Sequence, residues 1–218
     1  MNWQGKRYWL VGASDGLGAA LARKLSARGV EVILSARSED KLRALADELP
    51  GKASIQTVDI ADSDSVKEAA KAVGRIDGLV LLAGVYWPFG AKDWDADQAV
   101  AMADINFTGF MTGFRGLPGS IGYTASKAAT MSLAECMHAD LRKTGVLVQV
   151  CNPGFIKTQL TDKNDFKMPM IMQPEEAAQH MVEHMETDRF KTSFPWLFSL
   201  VFRGSNFLPD WLYYRIFS

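Results

Sequence analysis

Tyr123 and Lys127 lie four positions apart, a spacing that places two side chains on one face of a helix. A tyrosine phenol titrates near roughly 10, too high for ready proton exchange at neutral pH. A neighbouring ammonium favours the phenolate and lowers that value. Such a pair can exchange a proton with a carbonyl or hydroxyl while a nicotinamide exchanges hydride. Taken alone the spacing carries little weight, because helices match it by chance.

A second chemical signal is the run Gly12-Ala13-Ser14-Asp15-Gly16-Leu17-Gly18, which follows an apolar stretch at 8–11 and opens a helical pattern. Glycines let a backbone turn tightly against a pyrophosphate, and a helix N-terminus offers it free N–H groups. The spacing G-x-x-x-G-x-G departs from the general G-x-G-x-x-G fingerprint, and a plain tight turn is the alternative. The flanking strand and helix favour phosphate binding, while the charge of Asp15 opposes it. At the end of the second strand the chain reads Ser35-Ala36-Arg37. It offers no carboxylate for a ribose 2′-hydroxyl and one arginine for a 2′-phosphate, so NADP is favoured over NAD with Arg37 as the contact. A solvated surface arginine is the alternative. Asp59, beside Ile60, reads equally as an acceptor for an adenine amino group or as an ordinary strand-to-helix turn residue.

These residues need elements to hold them. Apolar runs at 8–11, 30–35, 54–59 and 78–82 read as strands, alternating with helices at 19–28, 38–49 and 62–73. Gly29 is expected to cap the first helix and Pro50-Gly51 to end the second. Further on, 123–144 reads as a helix closing on Gly145, 146–151 as a strand, and 174–185 as a helix with Pro174 in its first turn. Strands alternating with helices predict an α/β fold with a parallel, doubly wound sheet in three layers, its strands buried on both faces. Neither a repeat nor a linker divides the chain, so one domain over 1–218 is expected, with an aromatic extension from about 190.

The composition agrees. The 218 residues are 48% hydrophobic and 22% charged, enough to bury a core. A net charge of −1 gives no footprint for nucleic acid or an anionic membrane. Two cysteines, Cys136 and Cys151, are too few for a disulfide framework. The opening residues lead into an apolar run shorter than a secretory signal core, and a cytoplasmic protein is expected.

In combination, Gly12-x-x-x-Gly16-x-Gly18, Asn106, Tyr123-x-x-x-Lys127 and Asn152-Pro153-Gly154, in this order, resemble the short-chain dehydrogenase/reductase family. The resemblance runs from about residue 6 to 185. It implies a Rossmann-type fold, a homodimer or homotetramer, and interconversion of carbonyls and alcohols with NAD(P). By position it implies that Tyr123 is the general acid/base and that Lys127 lowers its pKa and binds the nicotinamide ribose. Asn106 matches the helix asparagine that supports a water-linked proton relay. The loop Pro153-Gly154-Phe155-Ile156-Lys157-Thr158 resembles the one lining the nicotinamide, with Ile156 and Thr158 near its carboxamide.

The pattern is broken in two places. Where the family has Asn-Asn-Ala-Gly after the fourth strand, this chain reads Leu81-Leu82-Ala83-Gly84. Ala83 and Gly84 still permit close approach of a cofactor. More seriously, the family places a strand and a catalytic serine between the asparagine and the tyrosine, yet Asn106 and Tyr123 are only 17 positions apart here. Two family-like stretches meet near Thr112-Gly113. Ser120 reads as turn chemistry, and Ser126 is expected to face away from Tyr123. Loss of a central strand would leave backbone groups unpaired on both neighbours, so the sequence is expected to lack a stretch that a native chain would carry. A dinucleotide-binding sensor or scaffold without the serine is the alternative function.

Other signals are weaker. His180 and His184 have a metal-compatible spacing without a third ligand, and a surface helix is expected. The Met-rich stretch 168–172 falls where the family has a substrate lid. The tail, with Trp196, Phe198, Phe202, Phe207, Trp211, Tyr213, Tyr214 and Phe217, exceeds what a lone surface helix should expose. It is expected to cover the substrate pocket, a dimer seam or a membrane surface, in that order.

Overall fold

The computed structural model describes residues 2–89, 91–106, 121–163, 168–205 and 207–217. The chain divides into two compact units, 1–84 with 173–186, and 85–172 with 187–218.

The first unit is built on β1 (Arg7–Val11), β2 (Glu31–Ser35), β3 (Ala53–Ile55) and β4 (Gly78–Leu81), paired in parallel in the order β3-β2-β1-β4. Helices α1 (Gly16–Ser26), α2 (Glu39–Glu48) and α3 (Ser63–Val73) join successive strands. Trp9, Val11 and Ile33 point to one face, where they pack with Val58 and with Ala69 and Val73 of α3. Alternation sends Leu10, Val32 and Leu34 to the opposite face, and all three are fully buried. There α1 and α2 contact the central strands. The result is the expected Rossmann-type arrangement, a parallel sheet flanked by helices. The helix α6 (Pro174–Met185) packs on α1, both contributing buried alanines.

The boundaries moved for identifiable reasons. Helix α1 starts at Gly16 because Asp15 caps it, and stops at Ser26 because Arg28 and Gly29 bond back only three residues, to Leu25 and Ser26. Gly29, at φ +83°, therefore closes the turn after the helix. Strand β3 is half the expected length. Its ladder needs β2, which ends at Ser35, although Gln56 and Val58 still bond to Leu34 and Ala36. Burial on both faces holds for β1 and β2 but not for β4, the sheet's edge, where Leu79 is 49% exposed.

The second unit holds α4 (Ala96–Asn106), α5 (Ile121–Leu141), β5 (Val150–Pro153), β6 (Lys191–Phe194), α7 (Trp196–Ser205) and α8 (Asp210–Phe217). Helix α5 ends at Leu141, whose carbonyl takes the Thr144 N–H and hydroxyl, and Gly145 at φ +83° completes the reversal. Strand β5 does not begin at 146. Its span is set by β6, which pairs Val150 with Lys191 and Pro153 with Phe194, while Val146 and Leu147 stay exposed. In the tail, Tyr213 is buried, whereas Trp196, Phe207, Trp211 and Tyr214 are exposed. The side chains of Phe198, Phe202 and Phe217, the junction at Thr112-Gly113 and Ser120 lie outside the described residues. No described helix is long and apolar enough to cross a membrane.

Candidate active site

The strand order reverses between β1 and β4, and the glycine turn leaves the carboxyl end of β1 at that point. In open parallel sheets such a switch point forms the crevice where ligands bind. Gly12, at φ +93°, takes a conformation other residues rarely adopt, and its N–H donates to the Ser35 carbonyl at 2.7 Å. A Cβ there would run into the Ala83 backbone nitrogen, and one on Gly18 would strike the Gly12 carbonyl oxygen. Ala83 itself donates to the Val11 carbonyl at 3.0 Å, and Gly84 follows it. The turn and the end of β4 are therefore in backbone contact, which only small residues allow.

Asp15 is exposed. Its Oδ1 accepts from the Gly16 N–H at 2.7 Å, and its Oδ2 lies 3.4 Å from the Lys41 ammonium. The repulsion expected from its charge is thus met by a cation. Ser14 and Leu17 are half-buried within the turn. Ser35 faces the core, accepting from Trp9 Nε1 at 2.8 Å and donating to the Gln56 carbonyl, so its hydroxyl is committed. Arg37, two residues on, is exposed. Asp59 uses Oδ1 to accept from the Ala61 N–H at 3.0 Å, the ordinary turn role, while Ile60 packs against the core.

In the second unit, α5 brings Tyr123 and Lys127 together, with the ammonium nitrogen 5.3 Å from the phenol ring centroid. Lys127 is only 3% exposed. Burial dominates at both groups. Burial, with a smaller contribution from Tyr86, pushes the Tyr123 phenol up to about 12, and burial pushes the Lys127 ammonium down to about 7. Ser126 is buried and donates its hydroxyl to the Tyr123 carbonyl at 2.8 Å, an intrahelical bond that takes it away from the phenol.

Asn106 is fully buried, and its amide grips Val85 twice. Its Oδ1 accepts from the Val85 N–H at 2.6 Å, and its Nδ2 donates to the Val85 carbonyl at 2.7 Å. Its own carbonyl accepts from the Thr130 hydroxyl at 2.9 Å. The loop after β5 is also built. Gly154 donates to the Phe194 carbonyl at 2.6 Å, and Ile156 bridges to Met172. Thr161 Oγ accepts from the Thr158 N–H at 2.9 Å and donates to the Ile156 carbonyl at 2.7 Å. Pro153 is buried at the strand end. The sequence reading missed Val85, Tyr86, Thr130, Thr161 and Lys163. Only the position of Val85-Tyr86 directly after Ala83-Gly84 could have drawn attention to them.

Helix α6 buries His184 on its inner face while Glu175, Glu176 and Glu183 stay exposed, and among the described residues no group of three or more His, Cys, Asp or Glu could hold a metal. Cys136 and Cys151 are free thiols, and burial raises Cys151 to about 12.

A family model described as short chain dehydrogenase matches residues 6–117 and 110–168. The two matches overlap at 110–117, which puts the break in the family pattern beside the junction noted in the sequence. An uncharacterized oxidoreductase of Myxococcus xanthus is 32% identical over 235 residues, covering 94% of this chain and 93% of its own. That matched length exceeds the whole of this chain, so the relative carries residues without a counterpart here. A 3-oxoacyl-(acyl-carrier-protein) reductase of Rickettsia prowazekii is 29% identical over 78% of this chain and 80% of its own. A solved short chain dehydrogenase/reductase family protein superposes with a TM-score of 0.78 at 25% identity, over 88% of this chain and 95% of that one. By the extent of the matched model and the near-complete alignment with an oxidoreductase, the chain belongs to the short-chain dehydrogenase family.

Proposed function

We propose that the protein transfers hydride between NADP(H) and a small-molecule carbonyl or alcohol, with Tyr123 exchanging the proton. The observation that carries this reading is the juxtaposition of a half-buried Tyr123 with a buried Lys127 on one face of α5 in a chain of this family. The Rickettsia relative, a reductase by name, supports the reaction class.

The glycine turn suits a dinucleotide, since it sits between β1 and the N-terminus of α1, and Gly12 and Gly18 allow the tight backbone path that a Cβ would block against Ala83 and Gly12. We assign Gly12, Ser14, Asp15, Gly16, Leu17 and Gly18 to the pyrophosphate, and Ala83 with Gly84 to the wall beside it. Arg37 is assigned to the 2′-phosphate and Asp59 with Ile60 to the adenine. Pro153, Gly154, Ile156 and Thr158 are assigned to the nicotinamide. When bound, the nicotinamide supplies or accepts the hydride.

The Tyr123 phenol holds its proton at neutral pH and is the group assigned to pass it to a carbonyl oxygen being reduced; burial, which raises it to about 12, works against that transfer, so the reaction requires the neighbouring Lys127 to favour the phenolate. Lys127, depressed to about 7, is poised to give up a proton near neutrality. Asn106 fixes the backbone that follows β4. We read the protein as one cytoplasmic domain that assembles as a homodimer or homotetramer.

The decisive experiment is Tyr123→Phe, assayed by NADPH oxidation against a panel of ketones and aldehydes. Turnover should vanish while NADPH binding persists, and an undiminished rate would refute the assignment. Binding-only behaviour of the unsubstituted protein would favour the sensor or scaffold reading.

A further inference from the structure

The three residues after Gly84 are tied down one after another. Val85 is held at both backbone groups by the Asn106 amide. The Tyr86 carbonyl accepts from Lys163 Nζ at 3.0 Å, and the same ammonium sits 5.1 Å from the Trp87 ring centroid. Lys163 ends a 3₁₀ turn at Thr161–Lys163. What these ties place is the Tyr86 ring, 5.1 Å from the Tyr123 ring centroid at an interplanar angle of 73°.

We propose that Tyr86 is a positioning residue for Tyr123, fixing the phenol ring by edge-to-face packing on a segment anchored by Asn106 and Lys163. The inference rests on the reading of Tyr123 as the proton donor. The α5 backbone fixes only the Cα of Tyr123, and two side-chain torsions still decide where its oxygen lies. Edge-to-face packing constrains those torsions directionally, because the positive ring edge seeks the negative face. A hydroxyl that must meet a carbonyl oxygen needs such restraint, since small misplacements cost rate steeply. Burial raises the Tyr86 phenol, so at neutral pH it adds no charge beside Tyr123. A ring is therefore what the position supplies, and phenylalanine should supply it too.

The test uses the full chain with tyrosine labelled by 13C in its ring, the Tyr123 signal being assigned by its loss in Tyr123→Phe. In Tyr86→Ala the Tyr123 ring signals should shift and its two edges should average by faster flipping, whereas Tyr86→Phe should leave them close to their original positions. Unchanged Tyr123 signals in Tyr86→Ala would overturn the proposal. With NADPH and acetoacetyl-coenzyme A or benzaldehyde as probes, Tyr86→Phe should stay within about twofold of the parent. Tyr86→Ala should lose roughly ten- to hundredfold in kcat with NADPH affinity unchanged. A silent Tyr123→Phe beside a fully active Tyr86→Ala would sink this inference alone, while an active Tyr123→Phe would sink the reading beneath it. If Tyr86→Ala does not fold, Lys163→Met replaces it. That variant frees the Tyr86 carbonyl and should broaden or shift the same Tyr123 signals, and unaltered signals would count against the proposal.

Discussion

Asn106 satisfies both backbone groups of Val85 with one side chain, at 2.6 Å and 2.7 Å, from a position with no solvent exposure. The N–H and C=O of a residue leaving a strand have lost their ladder and need partners. Asn106→Leu keeps the branched shape with some added bulk and removes both, so it should destabilise the protein by about 2–4 kcal/mol, the cost of two orphaned part-buried groups. Urea denaturation followed by circular dichroism measures this directly. A midpoint within error of the parent would show that water replaces the amide without penalty.

The glycine turn gives a sharper test of where backbone approach matters. Gly18→Ala drives a methyl into the Gly12 carbonyl, and Gly12→Ala adds an unfavourable φ to a clash with Ala83. Both variants should lose at least about tenfold in NADPH affinity, with Gly12→Ala also lowering stability by about 1–3 kcal/mol. Gly74→Ala is a control for φ alone, since its Cβ would meet nothing within 4 Å. It should leave NADPH affinity unchanged in a fluorescence titration.

The two candidate centres differ in how far the sequence announced them. Gly12, Gly16 and Gly18 were legible because a strand, a glycine turn and a helix are contiguous, and local rules govern all three. Tyr123 and Lys127 were legible as a helical pair, but the direction of their pKa shifts was not. Burial decides that direction, and burial comes from residues remote in sequence. The clamp of Asn106 on Val85 and the Lys163 bond to Tyr86 join positions 21 and 77 residues apart, beyond any periodicity argument. Strand β5 was misplaced for the same reason, since its span is set by pairing with β6. The apolar content of Val146 and Leu147 suggested a strand that has no partner to make it one.

On the proposed reading cofactor choice turns on Arg37, because the Ser35 hydroxyl is bonded into the core and no carboxylate ends β2. Arg37→Asp should raise the Kd for NADPH by roughly ten- to a hundredfold, losing a charge-assisted contact and adding repulsion. Affinity for NADH should stay level or improve, since a carboxylate there can accept from a ribose 2′-hydroxyl. Titrating both cofactors by fluorescence gives the ratio. If both affinities fall together, Arg37 acts on the fold instead of on the 2′-phosphate.

Lys127 makes stability depend on pH in a direction opposite to that of a paired lysine. Its ammonium is depressed to about 7 by burial, so between that pH and its ordinary value the unfolded chain holds a proton that the native state does not. Stability must therefore rise with pH across this window, by up to about 1.4 kcal/mol per unit. Below pH 7 both states carry the proton and the full cost of burying the charge persists. Lys127→Met removes the charge and keeps an unbranched apolar chain, so the variant should be more stable than the parent at pH 6. That advantage should shrink steadily toward pH 8.5. Tyr123 and Cys151, both raised to about 12, run the other way but begin to do so only as their unfolded forms ionise, near roughly 10 and 9. Over pH 6–8.5 the difference between parent and Lys127→Met, in which the histidines common to both cancel, therefore isolates the lysine. Urea midpoints for parent and variant that run parallel across this range would show that Lys127 keeps its proton in the folded protein. The phenol would then sit beside a permanent ammonium, as the bare tyrosine–lysine spacing suggests.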